Sequence, residues 1–201
     1  MKTYLKTGIL STVLVLTMAF STNVKAQLLP EFGIKGGINF ATLNNADGAE
    51  AEYKTGVLAG AFVKLNIPAS PIAVQPELLF VQYGYKVKGM SGSATLNYVQ
   101  IPVLLKFGFN VPAAPVKPNV YFGPYYGINI KAESDDGAGN TSDVDDFFSD
   151  TDYGVVVGAG LDISKFRIGL RYTAGLANAL EDDFEDGEKN GAIALTVGIA
   201  F

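Results

Sequence analysis

Acidic side chains, the groups in this chain best suited to bind a cation or exchange a proton, are concentrated in three segments. Seventeen of the 20 Asp and Glu residues lie at 43–54, 132–152 and 178–190. Blocks of like charge repel one another and usually form solvated surface segments. Oxygen-rich segments also suit Ca²⁺, although "DDGAGNTSDVDD" lacks the EF-hand spacing. Both interpretations stay open, and the candidate ligands for a divalent cation are Asp135, Asp136, Asp143, Asp145, Asp146, Asp182 and Asp183.

Histidine and cysteine are absent from the sequence, which limits the chemistry open to the chain. A Ser–His–Asp mechanism needs a histidine base, and zinc sites draw on histidine and cysteine ligands. The sequence also shows no nucleophile paired with a base. We therefore expect no enzyme activity, no cofactor, no catalytic residue and no metal site beyond the acidic segments. The net charge of −5 argues against nucleic acid as a partner, because nucleic acid needs a basic surface.

A second set of charged residues is mostly basic and alternates with apolar residues along the chain. Each member falls on the polar face of a predicted strand, so we expect one charge network on one side of a sheet. Buried charge is costly unless it is paired. Either Glu77 pairs with basic neighbours in a filled interior, or water enters and the basic excess lines a narrow anion-favouring pore. The set is Lys35, Lys64, Glu77, Lys106, Lys131, Arg167 and Arg171.

The elements that position these residues are predicted to be β-strands, because apolar residues recur with a period of two. Val99 and Ile101 share one face of a strand, for example, and Gln100 and Lys106 take the other. We find no helix and no domain boundary after the N-terminal segment. Three prolines fall inside strands, where each removes a ladder hydrogen bond, so a predicted strand is broken there or a bulge or kink accommodates the proline, and a bulge is favoured; they are Pro76, Pro102 and Pro124. The predicted strands are 32–42, 55–67, 72–85, 95–109, 118–131, 153–162, 165–177 and 191–201.

Two kinds of barrel fit an alternating sheet of this kind. In a soluble barrel of the lipocalin type, the apolar face points inward and the polar face meets water. In an outer-membrane barrel the apolar face meets lipid and the polar face fills the lumen. Periodicity alone does not separate them.

Three further features favour the membrane barrel. Short connections at 68–71, 110–118 and 162–164 alternate with longer polar ones, as periplasmic turns alternate with extracellular loops. Frequent glycine in strand interiors suits the tight curvature of a narrow closed barrel. Aromatic residues gather at strand ends and predict two girdles: Phe32, Phe109, Tyr121, Phe166 and Phe201 near the turns, and Phe40, Tyr83, Tyr126, Tyr153 and Tyr172 near the loops. The predicted fold is an all-β, eight-stranded antiparallel up-and-down transmembrane β-barrel with both termini on the periplasmic side.

The first residues have the pattern of a secretory signal peptide. Lys2 and Lys6 precede an apolar run at 8–20, and small residues follow up to Ala26. The run is short for a membrane-spanning helix. We therefore predict a cleaved signal peptide at 1–26, a barrel domain at 27–201, and export to a Gram-negative outer membrane as a multi-pass protein.

The last predicted strand alternates apolar residues up to a final aromatic one. Its apolar set is Ile193, Leu195, Val197, Ile199 and Phe201. Such a strand resembles the recognition signal that the barrel-assembly machinery reads in outer-membrane barrels. We expect it to pair with 32–42 and close the barrel, which makes that machinery a partner during biogenesis.

Five segments, taken in order, resemble one family. "FGIKGGINFATL", "QPELLF", "LNYVQIPVLLKF", "YFGPYYGINI" and "GAGLDISKFRIGLRYTAGLAN" are similar to the PorT-like outer-membrane β-barrel family of Bacteroidetes-type bacteria. The resemblance covers nearly all of the chain after the signal peptide. It implies an eight-stranded membrane barrel without catalytic residues. It also implies, for some members, an accessory role in a secretion and gliding apparatus.

Three functions follow from these observations. The first is a non-enzymatic integral outer-membrane barrel that anchors and presents acidic surface loops, as an accessory of an envelope or secretion assembly. The second is a small anion-favouring pore. The third is a soluble periplasmic lipocalin-like ligand-binding barrel. Expected partners of the first are outer-membrane lipid, lipopolysaccharide bridged to the loops by cations, and an envelope protein of unknown identity.

Overall fold

A computed structural model describes residues 30–44, 51–87, 93–112, 114–135, 141–143, 150–177 and 189–201. The predicted signal peptide, residues 1–26, lies outside these ranges. None of the described residues belongs to a helix long and apolar enough to cross a membrane.

The described chain forms strands joined into one antiparallel sheet that closes on itself. β1 and β9 pair, with Gly33 opposite Ala200, so the first and last strands complete the ring. β6 pairs only with the end of β5 and lies outside the ring. The predicted eight-stranded up-and-down barrel is therefore confirmed. The strands are β1 (Pro30–Asn44), β2 (Ala51–Asn66), β3 (Ile72–Val87), β4 (Ser93–Gly108), β5 (Val116–Asp135), β6 (Thr141–Asp143), β7 (Thr151–Ile163), β8 (Phe166–Gly175) and β9 (Lys189–Ala200).

Short connections join the strands at one end of the barrel, which we call the turn end. They lie at 67–71, 109–115 and 164–165. Two of them are tight enough to need a left-handed residue, Ala69 with φ 57° and Ser164 with φ 52°. Both ends of the barrel domain also lie here, because the Phe201 amide donates to the Phe32 carbonyl at 2.8 Å. The opposite end, where the acidic segments connect the strands, is called the loop end.

Several strands run further toward the loop end than the alternation predicts. β2 begins at Ala51 rather than 55, and β5 continues to Asp135 rather than 131. These extensions pair across strands, as Ser93 does with Asp135. They are polar, so they carry no lipid-facing period that the sequence could reveal.

Apolar side chains point outward around the ring. Leu170, Val197 and Phe166 are each more than half exposed. Glu77, on the inward face of β3, is only 3% exposed. A water-soluble barrel buries its apolar face. The lipocalin-like alternative, in which these residues would point inward, is therefore wrong.

The aromatic girdles are mostly as predicted. Eight of the ten predicted members are exposed on the outer surface, the turn-end set being Phe32, Phe109, Phe166 and Phe201, and the loop-end set Phe40, Tyr126, Tyr153 and Tyr172. Tyr83 and Tyr121 are buried in the lumen instead, at 3% and 7% exposure. Their strand parity decides this, because each lies an even number of residues from an inward-facing neighbour, Glu77 for Tyr83 and Asn119 for Tyr121.

The three strand prolines interrupt the hydrogen-bond ladder without shifting its register. Pro76 lies opposite Val103, Pro102 opposite Tyr125 and Pro124 opposite Val155. The register is the same on both sides of each proline, and the shifts lie elsewhere, between Tyr53 and Leu58 and between Asn97 and Tyr98. The bulges predicted at the prolines are therefore wrong: each strand loses local pairing and resumes in register.

The lumen divides into an apolar half and a charged half. The loop-end half is filled by large apolar side chains against alanines from the opposite wall, among them Leu58, Leu79, Val81, Tyr83, Leu96 and Tyr98. The half nearer the turn end holds most of the buried charged residues, whereas Asp152 is buried near the loop end, where the Tyr125 hydroxyl donates to its carboxylate at 3.0 Å. The sequence did not predict the apolar half, because the polar face was expected to remain small or polar throughout.

Candidate functional site in the barrel lumen

One cluster of charged residues, the Glu77 cluster, lies near the middle of the lumen. It contains Glu77 on β3, Lys35 on β1, Arg171 on β8 and Gln75 on β3. The Glu77 carboxylate accepts hydrogen bonds from Lys35 Nζ at 2.6 Å and from Arg171 Nη1 at 3.0 Å. Gln75 Nε2 adds a third at 2.7 Å. One carboxylate therefore holds two cations that reach it from different strands of the barrel.

A second cluster, the Asp162 cluster, lies nearer the turn end. Asp162 on β7 binds Lys64 Nζ at 3.0 Å and Lys106 Nζ at 3.3 Å. Asn119 Nδ2 donates to the same carboxylate at 3.1 Å. Arg167 Nε lies 3.6 Å from it, and Arg167 Nη2 pairs with Glu31 at 2.6 Å. Two carboxylates here face three cations.

Six of the seven residues predicted for the charge network therefore point into the lumen, divided between these two clusters. Strand alternation places them there, since each occupies an inward position of its strand. They are Lys35, Glu77 and Arg171 in the first cluster and Lys64, Lys106 and Arg167 in the second.

Lys131 is the exception, and its predicted place in the lumen network is wrong. Its side chain is 52% exposed and pairs with Glu133 at 2.7 Å. The ladder between β4 and β5 shifts here, since Asn97 faces Lys131 while Tyr98 faces Asn129. Ile130 is the extra residue, so the inward and outward positions exchange beyond it. Lys131 consequently lies outside the lumen network.

Asp162 and Glu31 are site residues that the predicted network omits. The sequence places Asp162 only near a rim, yet it lies opposite Arg167 across the tight β7–β8 turn. That pairing could have been inferred from the turn length. Glu31 precedes the predicted start of the first strand but shares the inward parity of Lys35.

Side chains fill the lumen where the structure describes it. Tyr83 and Tyr98 pack with their ring centroids 5.7 Å apart, and Gln100 donates to the Tyr83 hydroxyl at 2.8 Å. A cavity of about 10 Å³ lies between Tyr83 and Arg171, and one of about 30 Å³ lies beside Lys35 and Asp162. Such volumes hold single waters. The described lumen therefore favours a filled interior over the anion-favouring pore.

The predicted cation-binding residues are only partly described. Asp135 lies at the end of β5 opposite Thr141, and Asp143 on β6 lies opposite Glu133. Among the described residues, no three His, Cys, Asp or Glu side chains are grouped closely enough to hold a metal ion. Asp136, Asp145, Asp146, Asp182 and Asp183 lie outside the described ranges.

The predicted assembly strand is β9, which pairs with β8 on one side and β1 on the other. Ile193, Leu195 and Val197 point outward, about half exposed, with Ile199 partly covered. Phe201 is 72% exposed at the turn end. This is the orientation that the alternation predicts, and its recognition by the assembly machinery stays a prediction.

Solved structures share this fold at low sequence identity. The structure of Neisserial surface protein A (NspA) is 18% identical with a TM-score of 0.50, covering 85% of this chain and 97% of its own. A major outer membrane protein from Thermus thermophilus is 13% identical with a TM-score of 0.50, covering 86% and 99%. The outer membrane enzyme PagL is 12% identical with a TM-score of 0.47, covering 83% and 98%. These likenesses concern the fold alone.

The sequence itself matches one family model over most of its length. No curated protein sequence matches the chain. The model described as outer membrane protein beta-barrel domain matches residues 25–181. Together with the closed eight-stranded ring and its outward apolar band, this match places the protein in the outer membrane of a Gram-negative bacterium. The chain belongs to the outer membrane protein beta-barrel domain family.

Proposed function

We propose that this protein is a non-enzymatic outer-membrane barrel that anchors acidic loops at the cell surface, as an accessory of an envelope or secretion assembly. The observation that carries the proposal is the filled lumen. Apolar side chains close its loop-end half, and ion pairs occupy the half beyond. A barrel whose lumen is filled offers solutes no open path, so we infer that its function depends on the groups at its two ends.

The distribution of charge supports the same function. Seventeen of the 20 acidic residues lie in segments at the loop end, which faces the cell exterior in outer-membrane barrels. Carboxylates there suit divalent cations, which would bridge them to lipopolysaccharide phosphates. The chemistry thus favours lipopolysaccharide or a cationic envelope protein as the surface partner.

The resemblance to the PorT-like family supports the accessory part of the proposal. Some members of that family serve a secretion and gliding apparatus. Residues 158–178, which include the tight β7–β8 turn, belong to the segments that carry the resemblance. We accordingly infer a protein partner in the envelope, with the barrel-assembly machinery acting only during biogenesis.

The experiment is gentle detergent extraction of the natively expressed protein, followed by quantification of what co-purifies. We compare the native chain with a variant whose six acidic residues in 178–190 are changed to amides. The matched control keeps those six charges but permutes the order of residues in the segment. We expect lipopolysaccharide or a stoichiometric envelope protein with the native chain and the control, and less with the amide variant.

Two results would count against the proposal. Equal recovery of partners by the native chain and the amide variant would remove the role of the acidic loops. Stable current steps from the purified native barrel in a planar bilayer would instead favour the small anion-favouring pore.

A further inference from the structure

The lumen opens at the turn end into a polar cavity that the proposed surface role does not use. This cavity, which we call the vestibule, has a volume of about 260 Å³. Its wall includes the cations Lys64, Lys106 and Lys117 and the polar side chains of Asn66, Asn110 and Asn119. Asp162 is the one carboxylate among the described lining residues. The turn end faces the periplasm, so the vestibule is open to periplasmic solutes.

Cations outnumber carboxylates around the vestibule. Asp162 is shared by Lys64 and Lys106, and Arg167 divides its contacts between Asp162 and Glu31. Lys117, which is exposed at the start of β5, adds a further cation. Four cations thus face two carboxylates. The excess corresponds to the charge of one divalent anion.

The second observation is a buried acceptor beside these cations. Asn119 is 4% exposed. Its Nδ2 donates to Asp162 at 3.1 Å and to the Lys117 carbonyl at 3.4 Å, which fixes the orientation of the amide. Its Oδ1 is buried and has no hydrogen-bond partner within the described part of the chain. A buried acceptor without a donor is costly, so a ligand that carries a hydroxyl would satisfy it.

The vestibule ends inside the barrel. Beyond Lys106 and Asp162 lie the Glu77 cluster and then the apolar half of the lumen. Neither cavity between these side chains exceeds about 30 Å³. A solute that enters from the turn end therefore has to leave by the same route.

We propose that the vestibule is a periplasm-facing binding site for a phosphate dianion, carried by inorganic phosphate or by a phosphate monoester. Its charge matches the cation excess, and its oxygens accept from Lys117, Lys64 and Lys106. In inorganic hydrogen phosphate, the remaining P–OH donates to Asn119 Oδ1. The dianion of a monoester has no P–OH, so in glycerol 3-phosphate a carbon hydroxyl takes that place. Sulfate has the same shape and charge but no such proton at neutral pH, so the site discriminates between the two.

The first test measures phosphate and sulfate affinity by calorimetry on the purified full-length mature barrel in a phosphate-free maltoside detergent. We expect saturable phosphate binding with weaker sulfate binding. Lys117→Gln should weaken phosphate about tenfold, the effect of one charge-assisted hydrogen bond. Lys165→Gln is the matched control, because Lys165 is an exposed turn-end lysine outside the vestibule lining, and it should leave the affinity unchanged.

A second variant tests the acceptor. Asn119→Ala should reduce the preference for phosphate over sulfate, and heat-modifiable gel mobility reports whether the variant is folded. If this variant does not fold, the Lys117→Gln comparison alone decides the proposal. No saturable phosphate binding, or equal loss with Lys117→Gln and Lys165→Gln, would overturn it.

The source of the phosphate is distinguished with two monoesters. Glycerol 3-phosphate represents periplasmic solutes, and dihexanoyl phosphatidic acid represents a lipid headgroup at the membrane rim. Comparable affinity for inorganic phosphate and glycerol 3-phosphate supports a soluble ligand. Tight binding of the lipid form alone supports a headgroup. Binding of none of the three would refute the site.

Discussion

Glu77 shows how much a single buried carboxylate organises in this molecule. It binds Lys35, Arg171 and Gln75 while its own side chain is fully covered. Two cations in a narrow lumen depend on it for their charge balance. Removing one partner of a buried ion pair leaves the other uncompensated, and this costs more than forming the pair contributes.

We predict that Glu77→Leu lowers the free energy of unfolding by about 3–5 kcal/mol, because it leaves Lys35 and Arg171 buried without their carboxylate. The measurement is urea unfolding of the barrel in lipid vesicles. Lys131→Gln is the control, since its exposed pair with Glu133 should contribute less than about 1 kcal/mol. Similar midpoints for the two variants would contradict the prediction.

Gly60 allows two neighbouring strands, β2 and β3, to approach each other closely. A Cβ on Gly60 of β2 would lie 2.0 Å from the Leu78 carbonyl oxygen and 2.8 Å from Leu79 Cα. Both are backbone atoms of β3, so the strands themselves would have to separate. Gly36 of β1 differs, because its Cβ would meet only the Leu58 carbonyl oxygen, at 3.6 Å.

We therefore expect Gly60→Ala to destabilise the barrel by about 1–3 kcal/mol, the usual cost of overpacking. Gly36→Ala should have little effect, because it adds a methyl group at ordinary contact distance. Unfolding midpoints in the same vesicles compare the two. The explanation from close approach is wrong if both alanines destabilise equally.

Strand positions and faces were largely predictable because lipid imposes a strict period of two on each strand. The departures arise where that constraint is absent or broken. The β5 extension is polar and paired above the apolar band, and one extra residue at Ile130 turned Lys131 outward. Such a shift depends on the partner strand, so the local sequence does not reveal it.

The two clusters were predictable only as a set of inward charges. Parity places Lys35, Glu77 and Arg171 inside, but which cation meets which carboxylate depends on strand stagger around the ring. The apolar half of the lumen was missed for a related reason. In "LLFV", 78–81, both faces of β3 are apolar, with Leu78 and Phe80 outward and Leu79 and Val81 inward. Such a run does not show which face meets lipid.

At the scale of the whole molecule, the barrel has opposite charge at its two ends. Acidic segments connect strands at the loop end, and lysine exceeds aspartate among the described residues that line the vestibule at the turn end. The apolar half of the lumen separates them. We therefore expect solutes at the two ends of the barrel to stay apart.

We predict that the native barrel does not conduct and that the double variant Leu79→Ala/Leu96→Ala does. Both side chains are buried in the apolar half of the lumen, at 1% and 0% exposure, so truncating them opens space for water. Single-channel recording in planar bilayers is the measurement. Leu78→Ala, which removes a lipid-facing side chain next in sequence, should stay silent. If the folded double variant also carries no current, the apolar half of the lumen is not what blocks conduction in the native barrel.

The pairing of β1 with β9 affects how the chain folds into a closed barrel. Gly33 lies opposite Ala200, so the ladder that closes the ring joins residues from nearly opposite ends of the barrel domain. Contacts so distant along the chain make folding slow. Until they form, β1 and β9 each present an open edge that another chain can join. Closure of the ring removes both edges, so we expect a chaperone that shields them before closure to raise the yield of folded barrel.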